Sequence, residues 1–289
     1  SNLYKLSKED NRIYNFYRGS GWNPNLVTSD DKGLQWTDPL MIFLSGNNAT
    51  RPYVKYASNG KDRIDLFYTQ GHPRKEPENS IYHIYYQEGN FYKSDGKKIR
   101  SLEKIDKKPL QPENGTLIYD GSGPGGRAWV HDLERGGNGH LAGVYISSPD
   151  GDEGLDLRYR YARFDPVTEE WSDQEIAFAG THLYVPENHY AGGICIDPEN
   201  INIVYLSSDV DPVTGKPNGT GKYQIYKGLT NDEGESWEFE QLTFDLQNDN
   251  LRPVVPGNKP DNVNECIIWF RGEYNTYTDF DTEIVGFVN

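Results

Sequence analysis

Three arginines and a histidine recur in similar settings along the chain. Thr50-Arg-Pro-Tyr-Val-Lys-Tyr56, Gly126-Arg-Ala-Trp-Val-His-Asp132, Asn188-His-Tyr-Ala-Gly-Gly-Ile194 and Leu251-Arg-Pro-Val-Val255 place Arg51, Arg127, His189 and Arg252 near the head of a strand-like run. A guanidinium suits a flat, bidentate oxyanion such as a carboxylate or a sulfate. Any one of these arginines could pair with a neighbouring acid, but a shared register argues for a common ligand. Three further segments, Phe16-Tyr-Arg-Gly-Ser-Gly-Trp22, Gly71-His-Pro-Arg74 and Phe270-Arg-Gly-Glu-Tyr274, add Tyr17, Arg18, Trp22, His72, Arg74, Arg271 and Tyr274. Aromatic platforms among polar groups fit a sugar, whose C–H faces stack on rings. His72, ahead of Pro73, reads as a general base, a metal ligand or a loop histidine bonded to backbone. His83, in Ile81-Tyr-His-Ile84, reads as packing. His131 reads as a ligand, a base or a satisfied core group.

Other chemistries have weaker signals. No His-x-x-x-His or Cys-x-x-Cys is present, so no strong metal motif exists. Gly121-Ser-Gly-Pro-Gly-Gly126 lacks the Lys-Ser/Thr ending of a phosphate loop. No cofactor is expected beyond a structural divalent cation, Ca²⁺ or Zn²⁺. Asp150, Asp152 and Glu153 could hold Ca²⁺ or simply be solvated.

The elements that must position these residues are strands. The 289 residues carry 30 Gly and 17 Pro, and aromatics make up 13%. That profile favours short strands and turns, and excludes a disordered acidic tail. A net charge of −15 argues against nucleic acid and anionic membrane as partners. Cys195 and Cys266 cannot make a disulfide framework and read as buried strand thiols. No apolar run reaches the ~18 residues of a membrane span, and no signal peptide is visible.

A repeat sets the architecture. Ser29-Asp-Asp-Lys-Gly-Leu-Gln-Trp36 and Thr230-Asn-Asp-Glu-Gly-Glu-Ser-Trp237 both read Ser/Thr-x-Asp-x-Gly-x-x-Trp. This is the Asp-box turn: Asp accepts from its own turn's amides, Gly takes positive φ, and Trp packs beneath. The spacing between the two turns is about four units of propeller-blade size. Inner strands at the Arg/His segments are followed by second strands at Arg63–Tyr68, His140–Ser147, Ile203–Ser207 and Cys266–Phe270. Tyr-rich third strands follow at Ile81–Tyr86, Leu157–Ala162 and Tyr223–Tyr226, then outer strands near Trp36, Phe91, Trp171 and Trp237. The expected fold is a single all-β domain over residues 1–289. It is a β-propeller of about five four-stranded antiparallel blades, the last without a clear outer strand. Abrupt entry into a strand at Ser1 favours five blades of a larger, seven-bladed ring over a compact five-bladed one. Heads of inner strands and loops joining second to third strands then ring one channel mouth. The Asp-boxes lie toward the opposite rim, in a structural role.

Several of these segments, with Asn11-Arg-Ile-Tyr-Asn-Phe-Tyr-Arg-Gly19, Trp22-Asn-Pro24, Thr69-Gln-Gly-His-Pro73, Tyr190-Ala-Gly-Gly193 and Arg252-Pro-Val-Val-Pro256, resemble the BNR-repeat family across nearly the whole chain. That family includes ulvan-lyase-like polysaccharide lyases on seven-bladed propellers. The resemblance implies β-elimination on a uronate-containing polysaccharide, outside the bacterial cytoplasm, secreted or periplasmic. It implies Arg51 or Arg252 for the carboxylate, and Tyr17, Tyr190, His72 or His189 for proton transfer. Family members carry an upstream His-Asn-Asn-Pro-like stretch and a second histidine that are not in this sequence. A sialidase-like glycosidase is the alternative enzyme. It would need an Arg-Ile-Pro-like start, a Tyr–Glu pair and an Asp acid, of which only Glu273-Tyr274 stands out. A non-catalytic glycan-binding propeller is the third reading.

Overall fold

The chain builds five antiparallel sheets, each from strands contiguous in sequence. The first holds β1 (Asn2–Leu6), β2 (Arg12–Arg18), β3 (Pro24–Ser29) and β4 (Leu40–Met41). The second holds β5 (Val54–Ser58), β6 (Arg63–Thr69), β7 (Ile81–Gln87), β8 (Asn90–Tyr92), β9 (Lys98–Ser101) and β10 (Thr116–Tyr119). There β8 and β10 share the outer edge of β7, pairing with its C-terminal and N-terminal halves. The third holds β11 (Arg127–Arg135), β12 (Leu141–Ser148), β13 (Leu157–Asp165) and β14 (Glu170–Gly180). The fourth holds β15 (Ile194–Asp197), β16 (Asn200–Ser208), β17 (Gln224–Leu229) and β18 (Glu238–Gln241), and the fifth holds β19 (Asp249–Val254), β20 (Cys266–Thr276) and β21 (Asp279–Val288). These come from a computed structural model that describes residues 2–44, 51–151, 153–260 and 262–289. The sheets are five successive blades of a β-propeller fold, and the helices among the described residues are single 3₁₀ turns.

Alternation builds the blades. In β13, Leu157, Tyr159 and Tyr161 are buried, while Arg158 and Arg160 point to the half-exposed side. Each buried large side chain contributes about 1.5–3 kcal/mol over its exposed state. The largest packed cluster runs through blades two to four, around Phe67, Tyr145, Tyr159 and Leu206. A second joins blades one and two through Phe16, Leu26, Tyr68 and Tyr86. Blade five is held by a small one, Cys195, Tyr205, Ile225 and Ile267. The other face of β20–β21 is open, with Phe280, Ile284 and Val288 well exposed. Cys266 is accordingly only half-buried, unlike Cys195.

Between blades two and three a charged knot replaces apolar packing. Asp65 and His83 are both fully buried. Asp65 accepts from Arg63 and Arg135, and meets His83 Nε2 at 3.2 Å. Ser94 Oγ lies 2.8 Å from His83 Nδ1 and accepts from Trp171 Nε1. Burial pushes the Asp65 carboxyl up, but His83 and the two guanidiniums outweigh it and hold it at about 2.

Two expected boundaries differ. Residues 188–193 are loop, and the inner strand of blade four starts at Ile194, because this stretch turns back on itself: Tyr190 N donates to Glu187 O and Leu183 N to Tyr190 O. Residues 270–274 lie inside β20, not in a loop, because β20 pairs with β21 out to Thr276. The four Arg/His positions therefore do not share one register. Arg127 starts β11, Arg252 is inside β19, Arg51 is three residues before β5 and His189 five before β15.

Candidate functional site

The mouth gathers residues from four blades. Tyr53 precedes β5, and Trp129 is third in β11, on the same side of that strand as Arg127. The loop between β6 and β7 brings His72, and the loop before β15 brings Tyr184, Glu187, His189 and Tyr190. Their rings form a continuous row. Tyr53 and Trp129 have centroids 5.2 Å apart, and Trp129 and Tyr190 4.8 Å. Tyr190 and Tyr184 follow at 5.8 Å, then Tyr184 and Tyr274 at 6.1 Å. The His72 ring sits over the middle, 5.4 Å from Tyr53 and 5.1 Å from Trp129. The rings meet at 44–75°, with Trp129 buried, so the tyrosines are the ones with surface left for a sugar.

Backbone staples hold the loops. Asn79 accepts from Gly71 N at 2.7 Å and donates to Ala128 O at 2.6 Å. Arg127 donates to Pro73 O at 2.9 Å, so it fixes the loop that carries His72. His189 is buried, with Nδ1 3.1 Å from Ser148 Oγ. Tyr159 donates to the carbonyls of Gly193 and Ser207 and accepts from Gly193 N. Gly193 has φ +113°, and a Cβ there would lie 3.2 Å from Arg252 Cα.

Arg252 is the unusual residue. Its φ is +57°, a left-handed conformation that a non-glycine residue adopts at a cost. A break in the β19–β20 register between Leu251 and Val254 allows it, and Arg252 N donates to Gly192 O at 2.7 Å. The guanidinium carbon lies 4.0 Å from the Tyr190 ring centroid. Nη2 is buried without a hydrogen-bond partner. No carboxylate among the described residues is within ion-pair distance of it. By contrast Arg12, Arg63, Arg74, Arg135, Arg158, Arg160 and Arg271 all meet acids. A buried, unpaired guanidinium nitrogen is costly unless an anion arrives.

His72 is set differently. Its Nδ1 accepts from Arg74 N at 3.1 Å, which leaves the proton on Nε2, 3.8 Å from Glu187 Oε2. Burial, then Arg74, Arg18 and His189, lower its pKa to about 4. The ring is thus neutral at ordinary pH, with an N–H to offer. Glu187 pairs with Arg74 at 2.8 Å, and its Oε2 is buried without a hydrogen bond. Burial pushes the Tyr184 hydroxyl up to about 12.

The other sequence-derived candidates divide. Tyr17 and Arg18 line a cleft between blades one and two, beside the row. The Arg18 guanidinium lies 4.4 Å over Tyr53, and exposed Trp22 stands 5.8 Å from it on the other side. Tyr274 ends the row, 6.1 Å from Tyr184. Arg271 is not among them: it lies in β20 bound to Asp245 and Glu283, both at 2.7 Å. Arg51 is half-buried with Nε unpartnered, and no described contact joins it to the row. Asp150 accepts from Leu155 N and Asp156 N; Asp152 lies outside the described residues. Tyr53, Trp129, Tyr184 and Glu187 escaped the sequence reading. For two of them the signal was alternation, since Tyr53 and Trp129 each stand two residues after a singled-out arginine.

Arg252 also lines a cavity of about 350 Å³, together with Lys55, His131, Asp132, Glu134 and Cys195. Burial, with Asp132 and Asp197 nearby, raises Glu134 to about 8. Burial, with Arg252 and Lys55, pushes His131 well down.

A family model described as BNR repeat-containing family member matches residues 4–179. The chain belongs to the BNR repeat-containing family. This BNR-repeat protein is similar in fold to a PL25 ulvan lyase solved bound to -[GlcA(1-4)Rha3S]-, with TM-score 0.67 and 11% identity over 99% of this chain and 63% of that one. It is similar also to the same type of enzyme without that ligand (TM-score 0.67, 12% identity, 99% and 63%) and to the polysaccharide lyase Uly1 (TM-score 0.51, 10% identity, 99% and 57%). The BNR-repeat protein thus spans 63% of the length of the first of these structures. No curated protein sequence matches it.

Proposed function

We propose that this propeller is a carbohydrate-active enzyme that cleaves a uronate-containing polysaccharide by β-elimination at the mouth. The observation that carries the reading is Arg252: strained, half-buried with its Nη2 buried and unpartnered, and stacked on Tyr190. A uronate carboxylate is the ligand that satisfies it. The proton at C5 of a uronate is only weakly acidic, and removing it puts charge onto the carboxylate. A fixed guanidinium stabilises that charge without exchanging protons. Tyr190, whose ring lies under Arg252, takes the C5 proton in its phenolate form and becomes the phenol that can return it. The C5–H electron pair forms the C4=C5 double bond, the C4–O4 bond breaks, and O4 leaves with a proton returned by the same or a neighbouring hydroxyl. The His72 Nε2–H donates to a sugar oxygen, with Glu187 behind it. Tyr53 and Tyr274, both half-buried, hold flanking sugars, and the buried Trp129 supports Tyr53 from beneath. Polymers of this kind are met outside the cytoplasm, in the secreted or periplasmic space. The similarity in fold to polysaccharide lyases supports the class of substrate.

The test is a screen against ulvan, pectate and glucuronate-bearing gums, with products weighed and their ultraviolet absorbance followed. An unsaturated product supports the proposal, and R252K should then lose about 10²–10³-fold in kcat. A product heavier by one water would replace elimination with hydrolysis. Retention of glycan without product would leave a binding protein. An unchanged rate in R252K would remove the carboxylate assignment.

A further inference from the structure

One stretch of the aromatic row, Tyr53 to Tyr190, has a cation at each end. Arg252 stands over Tyr190, and Arg18 stands over Tyr53, with Trp129 between the two tyrosines. Arg18 is fixed rather than waving: its Nε donates to Trp22 O at 3.2 Å, and its guanidinium stacks on Tyr53. No carboxylate among the described residues is within ion-pair distance of it. Its terminal nitrogens overlook the cleft between blades one and two, about 210 Å³, walled by Tyr17, Pro24, Pro52 and Tyr56. This cleft is one cation set in an apolar, aromatic frame, on a protein of net charge −15. Anions drawn to such a surface must find local positive charge, and the mouth offers it at two separated points.

We propose that the mouth binds an oligosaccharide through two oxyanions: the uronate carboxylate at Arg252, and a second carboxylate or a sulfate at Arg18. The sugars between them pack against the half-buried Tyr53 and Tyr190, above the buried Trp129. This rests on the uronate reading of Arg252 and adds a substrate class to it, a polymer carrying negative charge on more than one sugar. A single uronate reaches only one of the two arginines. Affinity therefore rises with chain length in a step, when the second oxyanion first reaches Arg18, and that step falls as salt is added.

Calorimetry with Y190F, which holds ligand without turnover, separates the two claims. The probes are methyl glucuronide, oligouronides of two to six sugars, and the same oligomers O-sulfated. Adding R18Q should weaken longer oligomers about tenfold and flatten their salt dependence, leaving methyl glucuronide unchanged. Adding R252K should weaken every probe. If R18Q acts on the plain oligouronides the second anion is a carboxylate; if only on the sulfated ones, a sulfate. Equal affinity of the R18Q and Arg18 proteins for all probes, with R252K still weakening them, would overturn the Arg18 site and leave the uronate reading standing. No binding of any probe to Y190F or to the unmutated protein would overturn the uronate reading, and this one with it. An unchanged melting temperature for R18Q, whose side chain is exposed, shows that the loss is not one of folding.

Discussion

At the scale of single residues, the site is defined by groups that the fold leaves unsatisfied. Arg252 combines backbone strain with an unpaired nitrogen, and the two can be separated by mutation. Glycine accepts φ near +57° freely and alanine does not, so R252G should be more stable than R252A by about 1 kcal/mol. Both should lose turnover alike; urea titration checks the first and product absorbance the second. Equal stabilities would mean that the left-handed turn costs nothing. Glu134 gives a pH test. Its folded pKa of about 8 lies above its value in an unfolded chain, near 4.5. Between these values the folded state keeps a proton that the unfolded state has released. Stability from this group is therefore full below about pH 4.5 and lost as pH rises toward 8. E134Q, a permanent mimic of the protonated form, should match the unmutated protein at pH 5 and exceed it in melting temperature at pH 8. Arg252, Tyr190 and His72 were legible in the sequence because reactive side chains sit beside turn residues there. The strain at Arg252 was not, since nothing in Leu251-Arg-Pro253 announces a positive φ. Arg271 looked equivalent until β20 proved long enough to turn it toward Glu283.

At the scale of elements, the blades are joined by polar devices as well as by apolar ones. The Asp65 knot ties β6 and β7 to β11 and, through Ser94 and Trp171, to β14. Removing one charge from a buried set strands the others. D65N should therefore cost about 3–5 kcal/mol, whereas W171F, which deletes one neutral hydrogen bond, should cost about 1 kcal/mol plus lost packing. Chemical denaturation of both variants checks this, and similar losses would mean the charges are only lightly coupled. The second and third strands were readable from alternation: Ile81-Tyr-His-Ile-Tyr-Tyr86 and Leu157-Arg-Tyr-Arg-Tyr-Ala162 fall within β7 and β13. Loops were less so. Residues 188–193 have strand-like composition but spend their amides on a folded-back loop, and β10 completes the edge of β7 from far along the chain. Both outcomes depend on partners that a local pattern does not contain.

At the scale of the whole molecule, five blades follow one another along the chain, and no described strand crosses from one sheet to another. The blade count was legible because each unit repeats its own strand order. The distribution of packing was not, because it depends on which faces meet. Packing between blades is graded, deep in the middle and thin at blade five, whose β20–β21 face is open. In such serial architectures each unit leans mainly on its neighbours. Amide hydrogen exchange should then be slowest in β12 and β13 and fastest in β21, with β19 nearer to β21 than to β12; uniform protection across the blades would contradict this. Arg252 rides on β19, so the cation assigned to the carboxylate belongs to the blade that opens most easily. A ligand that spans from Arg252 to Arg18 would act as a brace between the last blade and the first, and its binding energy would appear as slowed exchange in β19–β21, far more than in β12.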